Sequence, residues 1–406
     1  MERQILHVDV NNAFLSWTAI EMLKNGSKLD IRTIPCIIGG DETTRRGIVL
    51  AKSMKAKEYG IVTAETIYSA KRKCPNLQVF SGLDYKKYKE YSNSLYQLLL
   101  EYTDKIERFS IDECFLDMTE FLQNDTLLNK AMEINRRVRE ELGFTVNVGV
   151  AHNKLLAKMA SDFKKPDRVH TLFENEIQEK IWNMPISELF MLGKKTVPKL
   201  YNMGIKTIGE LAKTDKNILT KKFGLHGALM WEYANGIDNS PVKYQVELPK
   251  SIGNSITLPM DIGRIEDLEK VLLALTEQVT FRLRRYKLLA SVVNVQLRTN
   301  KFEDFSHQKK LDISTSNTKE IYTKAKELLY EMFQKGILIR LIGVKVDGLI
   351  GEDEVQLSMF STSGTEKQDK LDKVVDNLKN KYGYNSITRA GSMNVDDIVK
   401  MIRKYE

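Results

Sequence analysis

The sequence predicts an α+β protein with more than one domain, and three observations support this prediction. Apolar runs typical of strands alternate with segments of helical periodicity up to about residue 170. A helix-rich stretch follows, and strands and helices then recur in the order βαββαβ over about 252–347. The chain has 406 residues, of which 42% are apolar, an ordinary share for a globular protein of about two to four domains.

The first predicted strand, residues 5–10, is a nearly continuous apolar run that carries Asp9 near its end. A buried strand of this kind can deliver a carboxylate to a site at its end. Helical periodicity begins directly after the strand and continues to a stop at Gly26. Asp9 is therefore a candidate site residue.

A β-hairpin is predicted over residues 106–117, with Asp112 and Glu113 near its bend. Neighbouring side chains of a strand point to opposite faces, so both carboxylates can serve one site only where a turn or bulge relaxes the alternation. Adjacent unpaired carboxylates repel each other, and a divalent cation that prefers carboxylate oxygen, such as Mg²⁺, removes that repulsion. The alternative to a metal site is a solvated acidic turn. Because Asp9 is a candidate partner of Asp112, we favour the metal site.

The net charge, the apolar runs and the cysteine count restrict the classes of function that this chain can have. The net charge of +8 suggests a polyanionic partner. No apolar run is long enough to span a membrane, and no long apolar region with a cleavage site precedes the first strand. Three scattered cysteines, Cys36, Cys74 and Cys114, are too few for a disulfide framework or a zinc cluster. We therefore expect a cytoplasmic protein with no membrane partner.

Three segments, in this order and spacing, resemble the palm and fingers motifs of the Y-family translesion DNA polymerases, nearest to their bacterial DNA polymerase IV and UmuC groups. They are Asp9-Val10-Asn11-Asn12-Ala13-Phe14, Ser110-Ile111-Asp112-Glu113, and the stretch from Val148-Gly149-Val150 to Lys164-Lys165-Pro166. The resemblance extends over about residues 3–350. It implies a template-directed nucleotidyltransferase that extends primer-template DNA with dNTPs and takes part in DNA repair and replication past DNA damage.

The resemblance also implies a metal-dependent active site. Asp9, Asp112 and Glu113 would be the catalytic acids and, together with the Val10 carbonyl, would bind two Mg²⁺ ions, for which Mn²⁺ can substitute. Two metals about 3.5 to 4 Å apart can activate the primer 3′-hydroxyl and neutralise the leaving pyrophosphate.

Further positions match the family's nucleotide-binding residues. Lys57 and Lys165 would contact the incoming triphosphate with point positive charges. Phe14 matches the steric gate, whose ring would exclude a ribose 2′-hydroxyl; the alternative is an ordinary core aromatic residue. Met54 stands where many members have tyrosine, and Asn11 replaces the second acid of the first motif. We expect these two departures to affect substrate affinity and not to abolish activity.

By resemblance, the chain divides into the parts of a right-handed polymerase. They are the palm (1–12 and 83–170), fingers (13–82), a helix-hairpin-helix thumb (171–240), a linker (241–250), the βαββαβ little finger (251–350) and a tail (351–406). In the thumb, Gly193, Lys194 and Lys195 form a glycine turn whose backbone N–H groups can receive a DNA phosphate. A simple helix-helix connection is the alternative.

Two further interaction surfaces are expected. Arg284, Arg285, Arg298 and Arg340 belong to a basic set on the little finger that would bind the DNA backbone, unless it is merely a solvated charged face. Segment 356–360 resembles the peptide by which bacterial polymerases bind the β subunit of the sliding clamp. Its contact residues would be Gln356, Leu357, Met359 and Phe360. We expect the enzyme to act as a monomer.

Two rival functions are compatible with parts of this pattern. The first is a catalytically inactive DNA-binding or clamp-binding protein of the same fold, against which Asp9, Asp112, Glu113 and Lys165 together argue. The second is a different two-metal enzyme, a nuclease or nucleotide cyclase. The thumb and little-finger resemblance argues against the second.

Overall fold

We describe the fold from a computed structural model that covers residues 2–40, 47–122, 125–245, 247–354, 363–387 and 389–392. Within these ranges the chain forms two compact units, the first up to residue 245 and the second from residue 247 onwards. No helix in the described ranges is long and apolar enough to cross a membrane.

The first unit contains two sheets, with the strands of the smaller sheet inserted in the chain between the first two strands of the larger one, and a helix-rich segment follows. Its described strands are β1 (Ile5–Val10), β2 (Cys36–Gly39), β3 (Val49–Lys52), β4 (Gln78–Ser81), β5 (Ile106–Arg108), β6 (Glu113–Asp117), β7 (Val146–Ala151) and β8 (Val169–Thr171). Its described helices are α1 (Ala13–Lys24), α2 (Met54–Glu58), α3 (Ile67–Lys73), α4 (Tyr85–Leu99), α5 (Leu127–Arg137), α6 (Lys154–Ser161), α7 (Ile177–Lys180), α8 (Val197–Tyr201), α9 (Ile208–Lys213), α10 (Lys216–Phe223) and α11 (Leu225–Ala234).

A five-stranded sheet in the order β5-β6-β1-β7-β8 forms the centre of this unit. The apolar run of β1 is buried along its whole length because β6 and β7 pair with it in antiparallel fashion on both sides. Leu6, Val8 and Val10 face a core shared with α1, α4 and α5. Ile5 faces the opposite core, which contains the buried side of α6. Since side chains alternate along a strand, Asp9 lies on the α6 side of the sheet.

A smaller three-stranded sheet, β3-β2-β4, supports the helices α2 and α3. β2 pairs antiparallel with β3 and parallel with β4. Residues 41–46, between β2 and β3, lie outside the described ranges.

The second unit confirms the βαββαβ order predicted from the sequence. Its elements are β9 (Ser251–Ile262), α12 (Ile265–Arg285), β10 (Leu288–Thr299), β11 (Asp304–Thr315), α13 (Thr318–Met332), β12 (Ile339–Gly351) and the tail helix α14 (Ser363–Tyr382). The strands form an antiparallel sheet in the order β11-β10-β12-β9. α12 and α13 bury their apolar faces against one side of this sheet, because each carries apolar residues at helical spacing.

Candidate active site

Asp9 and Glu113 are direct partners in the antiparallel pairing of β1 with β6. Directly opposed residues of such a pair place their side chains on the same face of the sheet. His7 and Phe115, the pair two positions away in the same register, also lie on a common face, since their ring centroids are 4.4 Å apart. Asp9 is only 6% exposed, so its charge needs compensation within the protein.

Asp112 lies in a bend that directly precedes β6. The backbone N–H groups of Phe109 and Ser110 both donate to the Glu113 carbonyl, at 3.0 and 3.2 Å, and close this bend. The Val10 N–H donates to the Asp112 carbonyl at 3.0 Å, and the Ser110 hydroxyl donates to the Asp112 carboxylate at 2.5 Å. The bend therefore interrupts strand alternation where the sequence analysis required it, and it joins the hairpin to the end of β1.

Two lysines contact these carboxylates. The Lys158 Nζ lies 2.6 Å from Glu113 Oε1 and 3.3 Å from Asp9 Oδ2. The Lys165 Nζ lies 2.9 Å from the same Asp9 oxygen. Both ammonium groups also contact Asp162, at 3.3 and 2.9 Å. Lys165 was predicted as a site residue, and the structure brings it to Asp9.

Sequence reasoning missed Lys158 and Asp162. The available signal was their spacing, because residues four apart on a helix are neighbours on its surface, and Lys158 precedes Asp162 by four positions. Lys158 lies in α6 and is 7% exposed, whereas Asp162 directly follows that helix and is exposed.

The buried charges change the protonation equilibria of the site. Burial raises the pKa of Glu113 to about 7, although the neighbouring Lys158 opposes the shift. Burial also lowers the pKa of His7 far below its usual value, and the positive charges of nearby lysines act in the same direction. Burial lowers the pKa of Lys158, but Asp9, Asp162 and Glu113 together raise it above the usual lysine value. The site thus combines a neutral imidazole with a firmly held ammonium group.

The close contact of α6 with the sheet depends on Gly149 in β7. A Cβ atom at Gly149 would lie 1.8 Å from the Ala157 carbonyl oxygen and 2.6 Å from the Ser161 nitrogen, both backbone atoms of α6. Only glycine permits such an approach. The contact places the helix that carries Lys158 directly over the strands that carry Asp9 and Glu113.

The predicted nucleotide-binding residues lie on separate elements. Phe14, near the start of α1, is partly buried, and its ring packs edge-on against Tyr88 with centroids 4.7 Å apart. Asn11 is buried, and its side-chain amide has no hydrogen-bond partner among the described residues. Lys57 is exposed on α2. Phe14 is thus packed on Tyr88 and only partly buried, and the steric-gate assignment remains a prediction.

The predicted thumb turn lies between residues 190 and 197. Gly193, Lys194 and Lys195 are exposed there, and the Thr196 N–H donates to the Gly193 carbonyl at 2.9 Å. Met191 adopts the left-handed backbone conformation, with φ of 67°. The turn is therefore accessible to a phosphate, and the DNA contact remains a prediction.

The four arginines predicted to bind DNA have different surroundings. Arg285 is exposed, Arg298 pairs with Asp304 at 2.6 Å, and the Arg340 guanidinium lies over the Phe302 ring. The fourth, Arg284, is mostly buried in an ion pair with the tail helix.

Arg284 requires a correction to the sequence analysis. Its guanidinium makes two hydrogen bonds to the Asp376 carboxylate, at 2.6 and 2.9 Å, and lies 3.4 Å from Asp372. Both acids belong to α14, so the charge of Arg284 is used to attach the tail helix to α12. We therefore do not assign Arg284 to the DNA-binding surface. The predicted clamp-binding residues 356–360 lie outside the described ranges.

The donor set of the central cluster suits a hard divalent cation. Asp9, Asp112 and Glu113 offer carboxylate oxygens and Val10 offers a carbonyl, and Mg²⁺ prefers such ligands. The ligand atoms of these three acids do not all lie within 4.8 Å of one another, whereas among the described residues those of Glu2, His152 and Glu174 do. Glu2 and Glu174 are exposed and share one nitrogen of His152, at 3.0 and 2.9 Å, as expected for a surface ion pair.

Comparison with protein families identifies three regions of the chain. The impB/mucB/samB family model matches residues 8–162, which include Asp9, Asp112 and Glu113. The HHH motif model of the IMS family matches residues 174–205, and the C-terminal domain model of the impB/mucB/samB family matches residues 249–359.

Several curated relatives match almost the whole chain. A DNA polymerase IV of Clostridium acetobutylicum is 48% identical over 96% of this chain and 98% of its own length. A DNA polymerase IV of Acetivibrio thermocellus is 40% identical over 96% of this chain and 97% of its own length. Among solved structures, a Y-family DNA polymerase chimera matches 86% of this chain and 99% of its own chain. The TM-score is 0.72 and the sequence identity is 24%, so the two proteins share a fold. The chain therefore belongs to the Y family of translesion DNA polymerases.

Proposed function

We propose that this DNA polymerase adds dNTPs to a primer 3′-hydroxyl at Asp9, Asp112 and Glu113, and that these acids bind two Mg²⁺ ions together with the Val10 carbonyl. The observation that carries the proposal is the direct pairing of Asp9 with Glu113, beside a bend that bonds Asp112 to Val10. When bound, the ions supply activation of the hydroxyl and charge neutralisation at the leaving pyrophosphate.

The protein's own groups would orient the reactants. Asp9 is nearly buried at the end of a central strand, which limits its movement. Lys165 follows α6 and is more exposed than Lys158, so its ammonium group can turn from Asp9 towards a triphosphate. Lys57, exposed on α2, offers a second positive charge for the same substrate. We assign both lysines to triphosphate binding.

A count of bound Mn²⁺ ions tests the metal assignment. In a complex with primer-template DNA and a non-hydrolysable dNTP, electron paramagnetic resonance should detect two tightly bound Mn²⁺ ions per protein. Asp9→Asn should bind fewer, because an amide is a weaker ligand than a carboxylate. Glu174→Gln is the matched control, since it removes an acid of the surface group and should leave two ions. Two ions retained in Asp9→Asn would contradict the assignment.

We also propose that Phe14 is the steric gate. Phe14→Ala should raise the efficiency of ribonucleotide insertion relative to deoxyribonucleotide insertion by about tenfold or more, since the ring would no longer exclude the 2′-hydroxyl. Single-nucleotide insertion with CTP and dCTP opposite the same template base measures this ratio. The dCTP rate serves as the internal control, and an unchanged ratio would refute the assignment.

The thumb turn and the remaining basic residues are proposed as contacts to the DNA backbone. Gly193, Lys194 and Lys195 are exposed in a turn that leads into α8, and Arg285 is exposed at the end of α12. Arg298 and Arg340 are less available because each already has an intramolecular partner. The little finger and thumb would thus hold the duplex through charge and without reading its sequence.

Binding to the sliding clamp is proposed from the sequence of segment 356–360 and from its place directly after the last strand of the second unit. The double variant Gln356→Ala with Phe360→Ala should weaken binding to the clamp β subunit at least tenfold, because it removes a polar and an apolar anchor of the peptide. Surface plasmon resonance on immobilised clamp measures the affinity. Ser358→Ala within the same segment is the control, and equal affinities of all three proteins would refute the proposal.

We further infer that the polymerase acts as a monomer in the cytoplasm. All the residues assigned to catalysis belong to one unit of a single chain. The three cysteines are free and buried, which fits a reducing compartment.

A further inference from the structure

Lys158 lies between the two carboxylates that face each other across β1 and β6. Its ammonium nitrogen is 2.6 Å from Glu113 and 3.3 Å from Asp9, and the residue is 7% exposed. Like charges placed directly opposite each other in an antiparallel pair destabilise the sheet. The ammonium group offsets this repulsion and bonds to both carboxylates at once.

The position of Lys158 is fixed by the packing of α6. Asn153 caps the helix by accepting a hydrogen bond from the Leu156 N–H at 2.9 Å, and its amide donates to the Gly236 carbonyl at 2.9 Å. At the other end, the Ser161 hydroxyl donates to the Lys158 carbonyl at 2.7 Å and lies 2.8 Å from His7 Nδ1. The backbone of α6 also lies directly against Gly149. The backbone of Lys158 is therefore held in place, and its buried side chain keeps the ammonium group beside both carboxylates.

Lys165 differs from Lys158 in both position and exposure. Its side chain is 27% exposed, against 9% for Lys158, and it follows the helix. It contacts Asp9 and Asp162, and no contact joins it to Glu113 among the described residues. A lysine that serves the substrate must be accessible, whereas one that orients ligands must be held in place. The exposure of Lys165 therefore suits binding of the substrate, and the burial of Lys158 suits orientation of the carboxylates.

We propose that Lys158 is a positioning residue that holds the carboxylates of Asp9 and Glu113 side by side, in the arrangement in which they bind metal ions. This inference rests on the proposed assignment of Asp9 and Glu113 as metal ligands. Lys158 acts through these carboxylates and does not touch the nucleotide. Its loss affects the affinity for metal and leaves the affinity for DNA unchanged.

Mn²⁺ binding to Lys158→Met tests the proposal. Methionine has a similar length and no charge, so the carboxylates lose their common partner while the volume is largely kept. In complex with primer-template DNA, we expect Mn²⁺ affinity to fall ten- to a hundredfold, as is typical when a partner of a metal ligand is removed. At saturating metal, the KM for dNTP should stay near that of the unmodified enzyme. A general structural defect would instead change this KM as well.

Lys154→Met is the matched control. Lys154 is one turn earlier on the same helix, is also largely buried and pairs with Glu107 at 2.6 Å, and no contact with Asp9 or Glu113 is present among the described residues. The Lys154→Met substitution should leave Mn²⁺ affinity unchanged. If Lys158→Met does not fold, as judged by circular dichroism, Lys158→Gln takes its place. An unchanged Mn²⁺ affinity in the folded variant, or an equal loss in Lys154→Met, would overturn the inference.

Failure of this inference is distinguishable from failure of the proposed metal site. If Asp9→Asn does not reduce Mn²⁺ binding, the site itself is wrongly assigned, and the role of Lys158 is refuted with it. If Asp9→Asn reduces binding and Lys158→Met does not, the metal site stands and only the positioning role is overturned.

Discussion

Asp112→Ala should slow primer extension by a factor of about 10³ or more and leave DNA binding intact. Asp112 contributes a carboxylate from the bend before β6, and a metal ion held there would supply several kcal/mol of transition-state stabilisation, with each 1.36 kcal/mol worth a factor of ten in rate. The Asp112 carbonyl would still accept the hydrogen bond from the Val10 N–H, so the fold of the hairpin should persist. Single-turnover extension of a labelled primer with Mg²⁺ and dNTPs measures the effect.

Asp104→Ala provides the control, because Asp104 is an exposed carboxylate just before the same hairpin. It should extend primers at the rate of the unmodified enzyme. Normal extension by Asp112→Ala would contradict the proposed catalytic role of this carboxylate. Absence of extension by the unmodified protein, with DNA binding retained, would favour an inactive DNA-binding homologue of the same fold.

Gly149→Ala should lower the free energy of unfolding by about 3 kcal/mol or more, at the upper end of the range for overpacking a core. The added methyl group would lie 1.8 Å from the Ala157 carbonyl oxygen, and the obstructing atoms belong to the backbone of α6, which cannot rotate away as a side chain can. Any folded variant must displace α6, and with it Lys158, from Asp9 and Glu113. Urea denaturation measures the stability, and primer extension by the remaining folded protein should fall as well.

Gly193→Ala is the corresponding control for stability. A Cβ atom at Gly193 would contact nothing within 4 Å, so its unfolding midpoint should stay near that of the unmodified protein. A Gly149→Ala protein as stable as this control would show that α6 can retreat from β7 without cost. The close packing of α6 would then not be needed to hold the site.

Local patterns in the sequence predicted much of the fold. The apolar run ending near Asp9 is a buried strand, and residues 106–117 form a hairpin with Asp112 in its bend. The βαββαβ order of the second unit is also confirmed. These features follow from periodicity, glycine stops and turn residues, which depend on positions close together in the chain.

The partners of charged residues could not be predicted in the same way. Lys158 meets Asp9 across 149 positions of the chain, and Arg284 meets Asp376 across 92. A sequence shows that a charge is present, but which groups neutralise it depends on the packing of distant elements. For this reason Arg284 was assigned to a DNA-binding surface although the tail helix occupies it, and Lys158 was overlooked.

The sequence alone therefore determined the family resemblance, the strand and hairpin that carry the acids, and the βαββαβ order of the second unit, because short-range periodicity and motif spacing encode them. Only the tertiary structure decided that Asp9 and Glu113 are direct strand partners and that Lys158 lies between them. Strand register and helix docking are set by the burial of apolar faces from distant parts of the chain, and the close approach of α6 at Gly149 brings the lysine to the acids.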